Sequence, residues 1–191
     1  YERRDLSQHN SEAAPYGALA LKATSDLSRP AACPSSARVT AMTNDKSALR
    51  TEIRGWSTGG STAGHLGAAW AWHLVSPEWA GIWGGKAPAP YNDGRTQKYV
   101  ILMTDGIYNT VGGTSNGDYG STATQSQDYA QATCSAMKSK GIVVFTIGFQ
   151  APGAAKTGLR SCASDSSKFY DANDADMLKS AFKAIATEIS N

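Results

Sequence analysis

The sequence predicts an α/β fold in which helices cover both faces of a doubly wound, mostly parallel sheet. The apolar, partly β-branched run 98–104 lacks the alternation of a half-exposed strand, so it predicts a strand that is buried on both faces. A second apolar run, 142–149, also predicts a strand. Helical patterns separate and follow these runs, and strands that alternate with helices along a chain form parallel sheets with right-handed crossovers.

The N-terminal region is expected to contribute little to this sheet. Residues 1–37 are polar and rich in Ser, Arg and Pro, and only residues 17–22 are apolar enough to form a short strand. We expect residues 1–37 to be a polar insertion or linker and residues 38–191 to be the folded region. Because the chain begins at Tyr1 without a Met, we also expect it to be processed or trimmed.

Two helices and an edge strand are predicted before the first buried strand. Residues 38–42 alternate like an edge strand, and residues 43–45 offer capping groups for a helix through Leu49 and Ile53. A second helix follows the glycine-rich loop at 59–64, with its apolar residues on one face. Ser61 or Thr62 is expected to cap it.

The remaining elements follow in alternating order. A long connection over 77–96 carries the turn signal Asn92-Asp93-Gly94, and a second loop spans 112–122. After it we expect a helix at 123–140, a strand at 142–149, a helix at 156–163 and a strand at 168–171. Asn173 is expected to cap the last helix. The predicted core face of that helix comprises Leu178, Ala181, Phe182, Ile185 and Ile189.

Composition excludes several functional classes. Hydrophobic residues make up 41% of the chain, which is enough to form a core. The net charge of +2 carries no basic stripe, so nucleic-acid binding is not expected. No apolar run reaches the 18 residues that a membrane-spanning helix requires.

The three cysteines suggest an oxidising compartment. Cys134 and Cys162 flank one strand and could meet across a βα unit, so we expect a disulfide. Its loop of 29 residues, 134 to 162 inclusive, would add about 3–4 kcal/mol of stability. Cys33 is left over, and an odd cysteine in an exported chain suggests a mate elsewhere. Three reduced thiols in a cytosolic protein are the alternative. No spacing supports zinc.

Enzymatic motifs are weak. Gly59 to Ala63 falls one residue short of the Gly-x-Ser-x-Gly elbow of α/β-hydrolases, and no buried strand precedes it. Phosphate-binding and dinucleotide-binding glycine motifs are absent from the sequence. We expect His73 to be a core residue and His65 to lie on a helix surface, so the chain is predicted to be non-catalytic.

The carboxyl end of the first buried strand is the predicted binding site. Asp105 and Gly106 end the run at 98–104, and open α/β sheets bind ligands at the carboxyl ends of their strands. A plain Asp-Gly turn is the alternative for Asp105. An ordinary helix cap is the alternative for Thr62.

The loop Gly59-Gly60-Ser61-Thr62 before a helix, together with Thr104-Asp105-Gly106 after a strand, resembles the von Willebrand factor A domains. The resemblance implies a Rossmann-like sheet and two of the three segments of a metal-ion-dependent adhesion site (MIDAS). It assigns Thr62 and Asp105 as metal ligands, direct or through water. Oxygen ligands of this kind suit Mg²⁺, or else Ca²⁺ or Mn²⁺.

Longer segments of the sequence indicate a particular subfamily of these domains. Residues 61–79, 104–109 and 159–170 look like bacterial tight-adherence (Flp) pilus-assembly proteins of the TadG type. The resemblance implies an exported domain, periplasmic or at the cell surface, that binds a protein ligand or pilus component. A metal-free structural subunit is the competing hypothesis, and an α/β-type hydrolase comes third.

The resembling family has a third metal segment, Asp-x-Ser-x-Ser, at the end of its first strand, and this sequence does not contain it. The chain thus resembles the C-terminal part of an A domain. We expect an upstream segment or a second chain to complete the sheet. Metal binding by this chain alone should be weak or absent.

Overall fold

The structure, a computed structural model, describes residues 39–57, 62–83, 87–109 and 123–190. These residues form a mixed α/β structure around a three-stranded parallel sheet. Its strands are β1 (Tyr99–Thr104), β2 (Val143–Phe149) and β3 (Phe169–Ala172), in spatial order β1-β2-β3. This confirms the predicted α/β class and the parallel pairing. Residues 1–37 and Cys33, about which the sequence made predictions, lie outside the described residues.

The first helix, α1 (Lys46–Arg54), begins as predicted. The Asp45 carboxylate accepts hydrogen bonds from the amides of Ser47 at 2.9 Å and Ala48 at 3.0 Å, which satisfies two unpaired donors of the first turn. The predicted edge strand before it is wrong over residues 39–42, which are not in a strand. The apolar residues in this segment alternate as in a strand, but the segment pairs with none of the described strands.

The second helix, α2 (Gly64–Val75), begins one residue later than a Thr62 cap requires. Its N-cap is Ala63, and no side chain caps the helix, so the predicted capping role of Thr62 is wrong. Ser61 is not among the described residues. A short 3₁₀ helix, Pro77–Trp79, follows directly. The chain turns at Asn92–Gly94, as predicted, with positive φ at both ends, 53° and 73°.

Helices α3 (Ala123–Ser139) and α4 (Gly153–Cys162) alternate with the strands, and α5 (Ala175–Ser190) ends the described chain. Helix α4 begins three residues before its predicted start. The N-cap of α5 is Asp174, whose carboxylate accepts from the amides of Asp176 and Met177. The prediction that Asn173 caps α5 is therefore wrong by one residue.

Helices lie on both faces of the sheet. One core unites α2 and α3 with β1 and the start of β2, and includes both bridged cysteines. Its fully or nearly buried members include Ala68, Trp72, Val100, Leu102, Met137 and Val144. On the other face, α5 packs against β2 and β3 through a second core. That core consists of Phe145, Ile147, Ala172, Ala181 and Ile185.

The second face is covered unevenly. Every interior residue of β2 is buried, but β1 alternates, with Ile101 38% and Met103 52% exposed. The prediction that the run 98–104 is buried on both faces is thus wrong for β1. Phe182 and Ile189 of α5 are also exposed, contrary to the predicted core face. Within the described residues, α5 packs mainly on β2 and β3.

Cys134 and Cys162 form a disulfide, as the sequence predicted, with their Cα atoms 5.2 Å apart. The bridge joins α3 to the end of α4 inside the first core. Because both sulfurs are buried, the link fixes the two helices that cover one face of β2.

Charged side chains compensate the helix ends at the amino edge of the sheet. The buried ammonium group of Lys98 donates to the Val75 carbonyl at the end of α2, at 2.7 Å. Lys98 and Lys140 both lie over the Tyr91 ring, 5.2 and 5.6 Å from its centroid. Cations near helix carboxyl ends are stabilising because the last carbonyls carry partial negative charge. We therefore assign these lysines a structural role.

Candidate functional site

The carboxyl edge of the sheet is where the predicted site residues lie. Asp105 directly follows the last residue of β1 and is exposed. Thr62 lies two residues before α2 and is half-buried. In the register of the parallel pair, Thr104 of β1 is level with Gly148 of β2. Both strands therefore end at this edge.

Two hydrogen bonds join Thr62 to the loop that follows Asp105. The Thr62 amide donates to the Asn109 side-chain oxygen at 2.7 Å. In return, the Asn109 amide donates to the Thr62 carbonyl at 2.9 Å. The two loops that the sequence singled out, 43 residues apart at Thr62 and Asp105, thus meet through Asn109.

Tyr108 reinforces this junction. A Cβ atom added to Gly64 would overlap the Tyr108 ring, so the ring occupies the space beside the first residue of α2. Burial raises the pKa of the Tyr108 hydroxyl above its usual value, because the ionised form would lose its contact with water. Tyr108 therefore stays neutral throughout the physiological pH range and acts by packing.

The turn at Asp105 is held by Thr104. Its hydroxyl donates to the Gly106 carbonyl at 3.0 Å and accepts from the Gly106 amide at 3.2 Å. Thr104 itself is buried. Thr104 therefore holds the bend that follows β1 from the interior of the protein, and Asp105 remains exposed.

The core beneath this edge is closed. The cavity there has a volume of about 10 Å³ and is lined by Thr104, Gly106, Tyr108, Gln127, Ala155, Gly158 and Leu159. A space of that size holds about one water molecule at most.

The donor chemistry of the predicted pair fits a hard divalent cation, although the number of protein ligands is small. A threonine hydroxyl and an aspartate carboxylate are both oxygen ligands of the kind that Mg²⁺ takes. Within the four described ranges, no group of three or more His, Cys, Asp or Glu residues could hold a metal. A second acid at this edge, Asp171 of β3, is paired with Lys156 at 2.8 Å.

His65 is completely buried, so its predicted position on a helix surface is wrong. Its Nδ1 atom lies 2.8 Å from the hydroxyl of Ser126, which is also completely buried. This serine and histidine pair lies between α2 and α3 and has no surface through which a substrate could reach it in this conformation. His73 is a core residue as predicted and stacks on Trp79, with ring centroids 3.9 Å apart.

Sequence reasoning gave no role to Asn109 or Tyr108. Their signals were their position a few residues after the Asp-Gly turn and their place in the segment 104–109, which carries part of the resemblance. Their partners Thr62 and Gly64 lie more than 40 residues earlier. Only the folded chain brings these residues together.

No protein-family model matches this chain, and no curated protein or solved structure matches it. No helix within the described part of the chain is both long and apolar enough to cross a membrane. The fold is therefore established at the level of a mixed α/β structure with a parallel sheet.

Proposed function

We propose that this chain is a non-catalytic, metal-dependent protein-binding domain of the von Willebrand factor A type. The observation that supports the proposal best is the Thr62–Asn109 hydrogen-bond pair, which joins the predicted hydroxyl ligand to the loop after Asp105. In this proposal Thr62 and Asp105 bind Mg²⁺, or else Ca²⁺ or Mn²⁺. A carboxylate from a protein ligand completes the coordination shell.

The proposed setting is a bacterial tight-adherence pilus system outside the cytoplasm. The Cys134–Cys162 disulfide supports export because such bridges persist in oxidising compartments. The small cavity described beneath the carboxyl edge, about 10 Å³, supports a protein ligand, because small-molecule sites are usually clefts of several hundred Å³. The TadG-type resemblance supplies the pilus assignment.

A metal-free structural subunit is the second proposal. Two oxygen ligands, only one of them charged, leave most of an octahedral shell to water. The apolar residues Ile101 and Met103 on the open part of the sheet favour a packing partner. In this version, the carboxyl edge holds α2 in place and partners pack against the sheet.

Titration with Mn²⁺ distinguishes these proposals. Mn²⁺ broadens nuclear magnetic resonance signals of nearby amides, so it both detects and locates a site. We expect weak, millimolar binding that broadens the amides of Thr62, Gly64 and Gly106 first. Asp105→Ala and Thr62→Ala should abolish this pattern, and Thr62→Ser, which keeps the hydroxyl, should preserve it.

Asp176→Ala is the matched control. Its carboxylate is 92% exposed and contacts only the exposed Lys179 at 3.1 Å among the described side chains. It should leave Mn²⁺ binding unchanged. Absence of localised broadening at about 10 mM Mn²⁺ would reject the metal-dependent proposal and favour the structural one. Broadening that Asp105→Ala leaves unaltered would also reject the metal-dependent proposal.

A further arm tests the missing segment. At micromolar Mg²⁺ we expect no detectable binding by the chain alone, because it offers so few protein ligands. A supplied segment carrying Asp-x-Ser-x-Ser should restore binding, and Asp105→Ala should then remove it. Tight calorimetric binding that is insensitive to Asp105→Ala would show that the metal site is elsewhere.

A further inference from the structure

One residue, Asn109, joins the two predicted metal-site loops. Asn109 uses its side-chain oxygen and its backbone amide to bind the amide and the carbonyl of Thr62, at 2.7 and 2.9 Å. Asn109 is exposed, so water could satisfy these groups if the contacts were lost. The pair therefore adds little to overall stability, and its main effect is on position.

The neighbouring helix start has little other support. The N-cap residue Ala63 provides no side-chain hydrogen bond, in contrast to Asp45 at the start of α1. The first turn of α2 is held instead by Tyr108, whose ring fills the space that a side chain at Gly64 would need. Tyr108 and Asn109 are adjacent, so one short segment after β1 fixes both Thr62 and the start of α2.

We infer that Asn109, supported by Tyr108, is a positioning residue that holds Thr62 in register with Asp105. The inference rests on the proposed metal-dependent function. Side chains that orient metal ligands typically change metal affinity by 10–100-fold when removed. Asn109 orients a ligand without adding negative charge beside a site that is proposed to receive a carboxylate.

The first experiment measures hydrogen exchange at the Thr62 amide and needs no metal. Asn109→Ala removes the acceptor, so exchange at Thr62 should accelerate at least about tenfold. Asn109→Asp keeps an acceptor oxygen and should retain protection. Asn44→Ala, at another exposed asparagine, is the control and should leave Thr62 unchanged. Unaltered exchange in Asn109→Ala would overturn the inference.

The second experiment uses Mn²⁺ titration of the same variants. We expect Asn109→Ala to weaken binding at Thr62 and Asp105 by at least about tenfold, with little change in thermal midpoint. Gly64→Ala is the second variant, because its Cβ atom must displace the Tyr108 ring. It should weaken binding while Asn109 remains in place.

The two proposals fail in different ways. If Asp105→Ala abolishes Mn²⁺ binding and Asn109→Ala leaves it unchanged, the positioning role is rejected and the metal site stands. If the unmodified chain shows no localised binding, the proposed function fails and the positioning role fails with it. Faster exchange in Asn109→Ala together with weaker Mn²⁺ binding supports both.

Discussion

Ile101 of β1 and Phe145 of β2 are paired in the register of the sheet, so their side chains project from the same face. Phe145 is completely buried, and Ile101 is 38% exposed. The next pair on this face, Met103 and Ile147, differs in the same way. The two strands have similar apolar sequences, and the difference arises from α5, which packs on β2 and β3.

Strands β1 and β2 have similar apolar residues, but the exposed fractions of their side chains differ. Val100 and Leu102 of β1 point to the opposite face, where they pack with α2 and are buried. Only one face of β1 therefore contributes fully to the hydrophobic effect within the described residues. The exposed face makes β1 the less strongly supported of the two strands and the natural place for a further packing partner.

The largest expected effect is a matched pair of isoleucine truncations. Ile147→Ala in β2 removes a completely buried side chain and should lower the free energy of unfolding by about 4 kcal/mol. Ile101→Ala in β1 should cost less than about 1 kcal/mol, because much of that side chain already contacts water. Urea denaturation of both variants measures the difference. Equal losses would mean that another part of the protein covers β1.

The next effect concerns the helices that cover one face of β2. Replacing Cys134 and Cys162 together by alanine should lower the free energy of unfolding by about 3–4 kcal/mol, since the unfolded chain regains the freedom of a long loop. Urea denaturation under non-reducing conditions measures this loss. Ser135→Ala, at an exposed position beside Cys134, is the control and should change stability by less than about 0.5 kcal/mol.

Peptide mapping without reductant provides the direct check on the cysteines. We expect a Cys134–Cys162 peptide, with Cys33 free or bound outside this chain. A peptide joining Cys33 to either of the others would contradict the arrangement and weaken the argument for export.

Hydrogen exchange along the two strands should show a smaller, local difference. Strand β2 has a neighbour on both sides, whereas β1 has one neighbour among the described strands. Amide protection should therefore be continuous along β2 and alternate along β1, with about a tenfold difference, or ~1.4 kcal/mol, between adjacent amides. Continuous protection along β1 would reveal a further strand at its open edge.

The smallest effect is expected at the turn that leads into β1. The Asp93 carboxylate accepts hydrogen bonds from the amides of Arg95 at 2.9 Å and Thr96 at 2.7 Å. These bonds lower the pKa of Asp93 below its usual value. A lowered pKa in the folded state stabilises the fold above the unfolded-state pKa, and this contribution is lost as the pH falls through the folded-state pKa.

Asp93→Asn tests this contribution. The variant should melt at a slightly lower temperature than the unmodified chain at pH 7, and the gap should shrink as the pH falls towards 3. Thermal midpoints at several pH values measure the gap, and Asp128→Asn, at an exposed position on α3, is the control. A gap that is independent of pH would show that the Asp93 charge does not contribute.

The candidate site could be predicted in part. The sequence indicated Thr62 and Asp105, and the fold brings the loop of Thr62 against the loop that follows Asp105. It gave no sign of Asn109 as the contact between them. A hydrogen bond between residues 47 positions apart depends on how α2 packs beside β1, and local sequence patterns do not carry that information.

The sequence by itself determined the α/β class, the helix-forming and strand-forming segments from α3 to β3, and the Cys134–Cys162 pairing. These follow from the periodicity of apolar residues and from short βα connections, which are local properties. Tertiary structure alone decided that His65 is buried, that Thr62 is not a helix cap, and that Ile101 and Met103 of β1 are exposed. Burial depends on which element packs against a surface, and an apolar run has the same pattern whether a helix covers it or not.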